Sequence, residues 1–456
     1  MQSPTFQQEL SSPPVINGYP GVPDIPSSPT LGSQNGAIVP PPHLQSHRTL
    51  VLCFDGTGDQ FDSDNSNVVQ LFSMLVKDNP AQLAGIGIYT IPQIATPMMA
   101  KISKIVDMML GNHLDAHVMG GYEFLMQNYE AGDKICIFGF SRGAYTARAL
   151  AGMVHKVGLI PRCNHQQVPF AYNMYSRDDP QGWDESNAFK KAFSIDVKIE
   201  FVGICAVGLI PRRLPFTHAN DSIKYFRHAL SLDERRVRFK PSTSERPNEK
   251  DRCRVKHDVG QGNDVEEVWF AGCHCDVGGG SVENNTRNSL ARIPLRWMIR
   301  ECFKAEVGIL FRQDMFKEIG MDPARLYPRV LERPDILYHS PCPPTQCSLK
   351  KRQDSKAGSN SASIYSDFVS EELEDVADAI SPMYDQLQKT WKWWILEATP
   401  QTIFYQDDND NSNVITCKIN MGHGRYVPRQ NRDGIKIHRS VKIRMEANCL
   451  KDGKYK

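Results

Sequence analysis

The sequence lacks an excess of charge of either sign. Its 456 residues hold 53 Lys and Arg against 52 Asp and Glu, a net charge of +1. That balance excludes the basic footprint of a nucleic-acid-binding domain. It also excludes adhesion to an anionic membrane by bulk charge, though not peripheral contact through a local patch. The chain has no run of about 18 apolar residues, so no transmembrane helix is expected. The longest candidate, "LAGIGIYTIPQIATPMMAKI", is interrupted by Pro92, Pro97 and Lys101. The opening "MQSPTFQQELSSPPV" has no basic stretch followed by an apolar one, so no secretory signal is expected and a cytoplasmic location is. Twelve cysteines are present, yet none forms C-x-x-C. A chain this long needs no disulfide staples, so they are read as reduced, buried small hydrophobes. Cys342 and Cys347 are closest to an exception, but their spacing does not suit a zinc ribbon and no second pair follows. Neither a metal nor a cofactor is expected.

Apolar residues make up 40 % of the chain, enough for a packed globular body. They are distributed unevenly. Residues 1–46 hold ten of the thirty prolines, with Ser, Gly and Gln between them. Such a segment buries too little apolar surface to offset its ordering entropy, and a disordered Pro-rich tail is expected. From residue 47 the composition changes. "RTLVLCFDGTG", "KICIFGF", "VKIEFVGICAVGL" and "EEVWFAGCH" read as buried strands without alternation. Between them, "AHVMGGYEFLMQNY" puts Val118, Tyr122, Leu125 and Tyr129 on one helical face, and "RGAYTARALAGMV" is a small-residue helix. Apolar strands alternating with helices indicate a doubly wound α/β fold with a mostly parallel sheet, expected over 47–345. Residues 346–367 are polar and low in complexity and read as a disordered loop. A mixed appendage, 368–456, is expected to pack on the core. In its "QKTWKWWILEATP", Leu387, Trp391 and Trp394 fall at helical spacing, which favours one helix packed on the core over a membrane-interface segment.

The chemistry gathers around "KICIFGFSRGAYTARAL", which contains Gly-Phe-Ser-Arg-Gly, a match to G-x-S-x-G. That pattern needs a strand before it and a helix after it, because the strained turn between them lifts the serine above the sheet edge. Both are expected here, so Ser141 is the candidate nucleophile. The main-chain N–H of Arg142 is one candidate oxyanion donor, and Gly56 or Thr57 in "CFDGTGDQFD" supplies the other. Asp55 in the same stretch also fits a phosphatase nucleophile, but that chemistry asks for a second acid two residues on, where Thr57 stands. A serine hydroxyl needs a base. "VWFAGCHCDVGGG" places His274 just past a strand and 133 positions after Ser141, the chain order of an α/β-hydrolase. Asp276 follows, then a glycine run suited to a tight loop.

These pieces, with "NVVQLF", "GLIPRRLPF" and "ALSLDERR", resemble the α/β-hydrolase domain shared by type VI secretion phospholipase effectors and many fungal proteins. The likeness covers about residues 48–300 in order. It implies a carboxylic ester hydrolase of lipase or phospholipase type, acting on a lipid or other ester through an acyl-enzyme, with its serine at Ser141 and its histidine at His274. One departure stands out. Relatives continue the third strand as G-V-W-D-T-V, whose aspartate is the expected triad acid. Here the strand reads "GICAVGL" and lacks about four positions, the acid among them. Asp276 is the nearest substitute in sequence; Asp221 and Asp233 are others. The loss motivates a second reading, a catalytically impaired relative that acts as a binding or scaffold protein.

Overall fold

The computed structural model describes residues 37–57, 63–89, 114–207, 214–239, 241–244, 263–334, 368, 370–406, 412–417, 419–424, 435–447 and 455. One seven-stranded sheet organises them. Its strands are β2 (Thr49–Thr57), β3 (Gln82–Tyr89), β4 (Lys134–Ser141), β5 (Ile199–Val207), β6 (Ile223–Ser231), β7 (Asp264–Phe270) and β11 (Lys436–Ile437). They lie in the order β3-β2-β4-β5-β6-β7-β11, and every pairing is parallel. Two antiparallel pairs stand apart: β1 (Ile38–Val39) with β8 (Phe311–Arg312), and β9 (Gln401–Gln406) with β10 (Ser412–Cys417).

Both faces of the sheet are covered, as near-continuous apolar strands require. One core lies under α2 (Leu114–Asn128), α3 (Arg142–Val157), α4 (Val168–Ser176) and α5 (Pro180–Phe193). There Val118, Tyr122 and Leu125 of α2 turn inward together, at the spacing read from the sequence. The opposite core lies under α1 (Asn67–Met74) and α7 (Arg292–Lys304). The fold is therefore doubly wound α/β. Cys53, Cys136, Cys205, Cys273 and Cys302 are buried and unbridged; Cys342 and Cys347 lie outside the described residues.

The chain order gives the sheet a switch point. From β2 it moves outward to β3, then crosses back to place β4 on the other side of β2. The two flanking connections leave in opposite directions, which opens a crevice at the strands' carboxyl ends. Ser141 closes β4 at that edge, and Gly56 and Thr57 lie at the end of β2 beside it.

A second framework ties the C-terminal part to this body. Arg292, Arg296 and Arg300 recur every fourth residue along α7 and form one basic stripe. Facing it, α8 (Glu371–Ala379) offers Glu371, Glu374, Asp375 and Asp378. Arg292 bonds Glu374 at 2.9 Å, Arg296 bonds Asp375 and Asp378 at 2.7 Å each, and Arg300 bonds Glu371. All these side chains are buried, so each charge depends on its partner.

The structure departs from the sequence reading at three places. Residues 37–46, expected within the disordered tail, include β1, paired with β8, and a helical turn at Pro42–Leu44; the rest of that tail and the 346–367 loop lie outside the described residues. Strands β3 and β6 were not anticipated. The tryptophan segment is not one core-packed helix. It breaks into α9 (Gln386–Lys389) and α10 (Trp393–Glu397), which bury Leu387 but leave Trp391 70 % and Ile395 59 % exposed. No helix among the described residues is long and apolar enough to cross a membrane.

Candidate active site

Ser141 is the last residue of β4 and the residue before α3, with φ +56° and ψ −120°. A serine held at positive φ is strained and persists only where its surroundings over-determine it. Here they do. A Cβ on Gly143 would lie 2.1 Å from the Phe54 carbonyl oxygen, and one on Gly139 would lie 2.4 Å from the Gly143 carbonyl oxygen. Helix α3 thus lies against β2 and β4 at distances that only glycine permits, and the chain between must turn sharply at Ser141. Arg142 opens α3, so its main-chain N–H lies in the first turn, at the positive end of the helix.

The β2 edge is less open. Asp55 is fully buried, and its Oδ1 accepts Gly56 N–H at 2.7 Å and Ser66 Oγ–H at 2.5 Å. In this geometry Gly56 N–H is committed to that carboxylate, not turned to the crevice. The same burial removes Asp55 from the role of an exposed phosphatase nucleophile. Thr57 pairs with Tyr89 of β3 after an irregularity in register.

His274 opens the short helix α6 (His274–Gly278), four residues beyond β7. That helix sits directly on the elbow. A Cβ on Gly278 would meet the Phe140 ring at 1.8 Å, and the His274 ring lies on Phe140 with centroids 4.9 Å apart. Phe140 is the residue before Ser141. Phe239 packs edge-on against the His274 ring at 4.6 Å.

Asp276 is placed otherwise. Its Oδ2 accepts Cys273 N–H at 3.0 Å, closing a capping box, and Tyr384 N–H at 2.9 Å. Burial pushes its carboxyl up to about 6, and the two N–H groups offset this only in part. These contacts make Asp276 a helix cap and a tie to the C-terminal part. On β5, where the expected acid is missing, Ala206 takes a positive φ of 37° next to Val207, the partner of Ser141. Of the other candidates, Asp233 accepts Gly272 N–H at 2.6 Å and the Tyr455 hydroxyl at 2.9 Å.

Comparison with known proteins gives the family. Residues 48–301 match the family described as the type VI secretion system phospholipase effector Tle1-like catalytic domain. The chain belongs to this family. A Saccharomyces cerevisiae protein, the uncharacterised YEL023C, is 33 % identical over 229 residues, 45 % of this chain but only 34 % of its own length. This chain therefore spans about a third of that relative. Among solved structures, an uncharacterised Pseudomonas aeruginosa protein has a TM-score of 0.33 at 17 % identity, covering 57 % of this chain and 46 % of that one. A Tle1 effector bound to the VgrG spike has a TM-score of 0.26 at 16 % identity, covering 51 % of each chain.

In this Tle1-like domain, sequence reading missed a buried acid beside His274. Glu234, buried, accepts His274 N–H at 3.1 Å and the Arg236 guanidinium at 2.9 Å. Burial alone would raise its carboxyl. The Arg236 guanidinium and the charge at His274 outweigh that and hold it at about 2. The available signal was the carboxylate pair in "SLDERR", of which only the first residue was weighed.

Proposed function

We propose that the protein is a serine hydrolase of carboxylic esters, of lipase or phospholipase type. The observation that carries this reading is the strained Ser141 at the switch-point edge with the His274 ring tilted against the adjacent Phe140. Ser141 Oγ attacks the acyl carbonyl carbon and its proton passes to His274. The carbonyl oxygen becomes an oxyanion, stabilised by Arg142 N–H. Collapse expels the alcohol, which takes the proton from His274 and leaves an acyl-serine. Water then attacks the acyl group, gives its proton to His274, and the carboxylic acid leaves as Ser141 recovers its proton. Thr57 completes the oxyanion site, or Gly56 if the β2 edge rearranges when substrate binds, because Gly56 N–H now bonds Asp55.

Family membership makes a lipid ester the favoured substrate. The exposed Trp391 and Ile395, with Lys392 between them, suit contact with a lipid–water interface, where indole rings favour the headgroup depth. A fluorophosphonate probe tests the chemistry. The wild-type chain should be labelled, with the adduct on Ser141 by peptide mass, and Ser141→Ala should not. Labelling unchanged in Ser141→Ala would remove Ser141 from the mechanism.

The second reading is a catalytically impaired binding protein. It is motivated by β5, whose carboxyl end, Ile204-Cys205-Ala206-Val207, carries no acid. It predicts no labelling in wild type and a gain when Trp-Asp-Thr-Val is restored in this strand.

A further inference from the structure

The carboxyl end of β5, past Glu200, offers no carboxylate, yet His274 has a buried one beside it. Glu234 lies three residues beyond β6 and takes the His274 main-chain N–H through Oε2. Its other oxygen, Oε1, takes both the main-chain N–H of Arg236 at 2.8 Å and the Arg236 Nε–H at 2.9 Å. The guanidinium so fixed lies 3.7 Å over the Phe239 ring and 4.7 Å over Trp393. Phe239 in turn meets the imidazole edge-on. Glu397, also buried, clamps this loop from the C-terminal part by accepting Val237 N–H at 2.6 Å and Gly422 N–H at 3.0 Å.

We infer that Glu234 is the positioning carboxylate of this site: it holds His274 by its main chain, sets the ring through Arg236 and Phe239, and offsets the imidazolium in place of the missing β5 acid. This rests on Ser141 and His274 acting as nucleophile and base. An acid that orients its histidine through the ring N–H does both tasks with one bond. Here the tasks are divided, and Arg236 takes up part of the charge. Other charged groups around α6 are occupied. Asp233 bonds Gly272 N–H and Tyr455, Asp276 bonds Cys273 N–H and Tyr384 N–H, Asp385 pairs with Arg235, and Arg444 bonds the Ala379 and Ser381 carbonyls.

The test follows fluorophosphonate inactivation of the full chain from about pH 5 to 9, the range in which a histidine titrates. Glu234→Gln keeps an acceptor for His274 N–H but removes the charge. The rise of rate with pH should move about one unit lower, and the plateau rate should fall about tenfold. Arg236→Gln leaves the carboxylate less neutralised, and its midpoint should move to higher pH. A purely structural role would not shift the two midpoints in opposite directions. Unchanged midpoints, or shifts of the same sign, overturn the inference. If Glu234→Gln fails to fold, the sign of the Arg236→Gln shift decides. Absence of wild-type labelling at Ser141 would instead overturn the serine-hydrolase reading on which this one stands.

Discussion

Gly143→Ala tests the packing that creates the elbow. The added methyl would lie 2.1 Å from the Phe54 carbonyl oxygen and 2.6 Å from that of Asp55. Real Cβ contacts stay beyond 3.0 Å, so α3 and β2 must part by nearly 1 Å. Neither clashing atom can rotate away, because both are main chain of a central strand. Overpacking of this kind costs about 1–3 kcal/mol, and the upper end applies here. Alanine's better helix propensity returns at most about 1 kcal/mol, leaving a net loss of about 2 kcal/mol. The displaced edge carries Asp55 and Gly56, so function should suffer as well. A misplacement of about 1 Å near a reacting centre can cost about 10²-fold in rate. Urea unfolding followed by tryptophan fluorescence reads the first effect, and fluorophosphonate labelling the second. Gly120→Ala is the matched control. It lies exposed in α2 with nothing within 4 Å of its would-be Cβ, and should stabilise by about 0.5–1 kcal/mol. A Gly143→Ala protein as stable and as quickly labelled as wild type would refute the close-approach account.

Other outcomes follow from the same structure. Arg296→Met removes the arginine that bridges Asp375 and Asp378, which keep Arg333 and Arg439, and Arg292, respectively; it should cost about 3 kcal/mol in urea unfolding, the lower end for a broken buried pair, with the double change Arg296→Met and Asp378→Asn recovering part of it. His155 and His438 are held near pKa 4, by burial and Lys190 for the first and by burial against the pull of Asp375 for the second. Each folded value lies below the ordinary 6.5, so each contributes stability above pH 6.5 that is lost as pH falls to 4. Asp276 acts in the opposite sense, since its folded value of about 6 exceeds the ordinary 3.8 and its penalty fades as pH falls through that window. The two histidines outweigh the aspartate, and stability should drop by about 4 kcal/mol between pH 7 and 4, measured by urea titration at each pH. A double Trp391→Ser, Ile395→Ser variant should lose flotation with phospholipid vesicles while its labelling by a soluble fluorophosphonate stays unchanged; equal flotation would remove the patch from lipid contact.

The elbow was legible because local signals agreed there. An apolar run, spaced glycines and a small-residue helix surround one serine, and a strand-end histidine follows downstream. Strand β3 was obscured by glycines in "QLAGIGIY" and by the prolines after it. Strand β6 was obscured by charge: "IKYFRHALS" places Arg227 and His228 inside a buried strand, where Glu301 and Glu267 pair with them from distant elements. The α7–α8 framework is likewise tertiary, because neither helix shows in its own sequence that the other covers it. The tryptophan segment misled by its spacing. Periodicity placed its residues on one helical face, but Trp391 falls between two short helices and points outward. Glu234 was hidden for a similar reason. Nothing local to Glu234 and Arg236 shows that the fold brings Glu234 against a histidine forty positions away.

The most direct measurement is fatty-acid release from phospholipid vesicles by the full chain, compared with Ser141→Ala and His274→Ala. The account predicts steady release by the wild type and loss of it in both variants, whose unfolding curves match wild type. Release that persists in Ser141→Ala, or its absence in a folded wild-type protein that binds the vesicles, would contradict it.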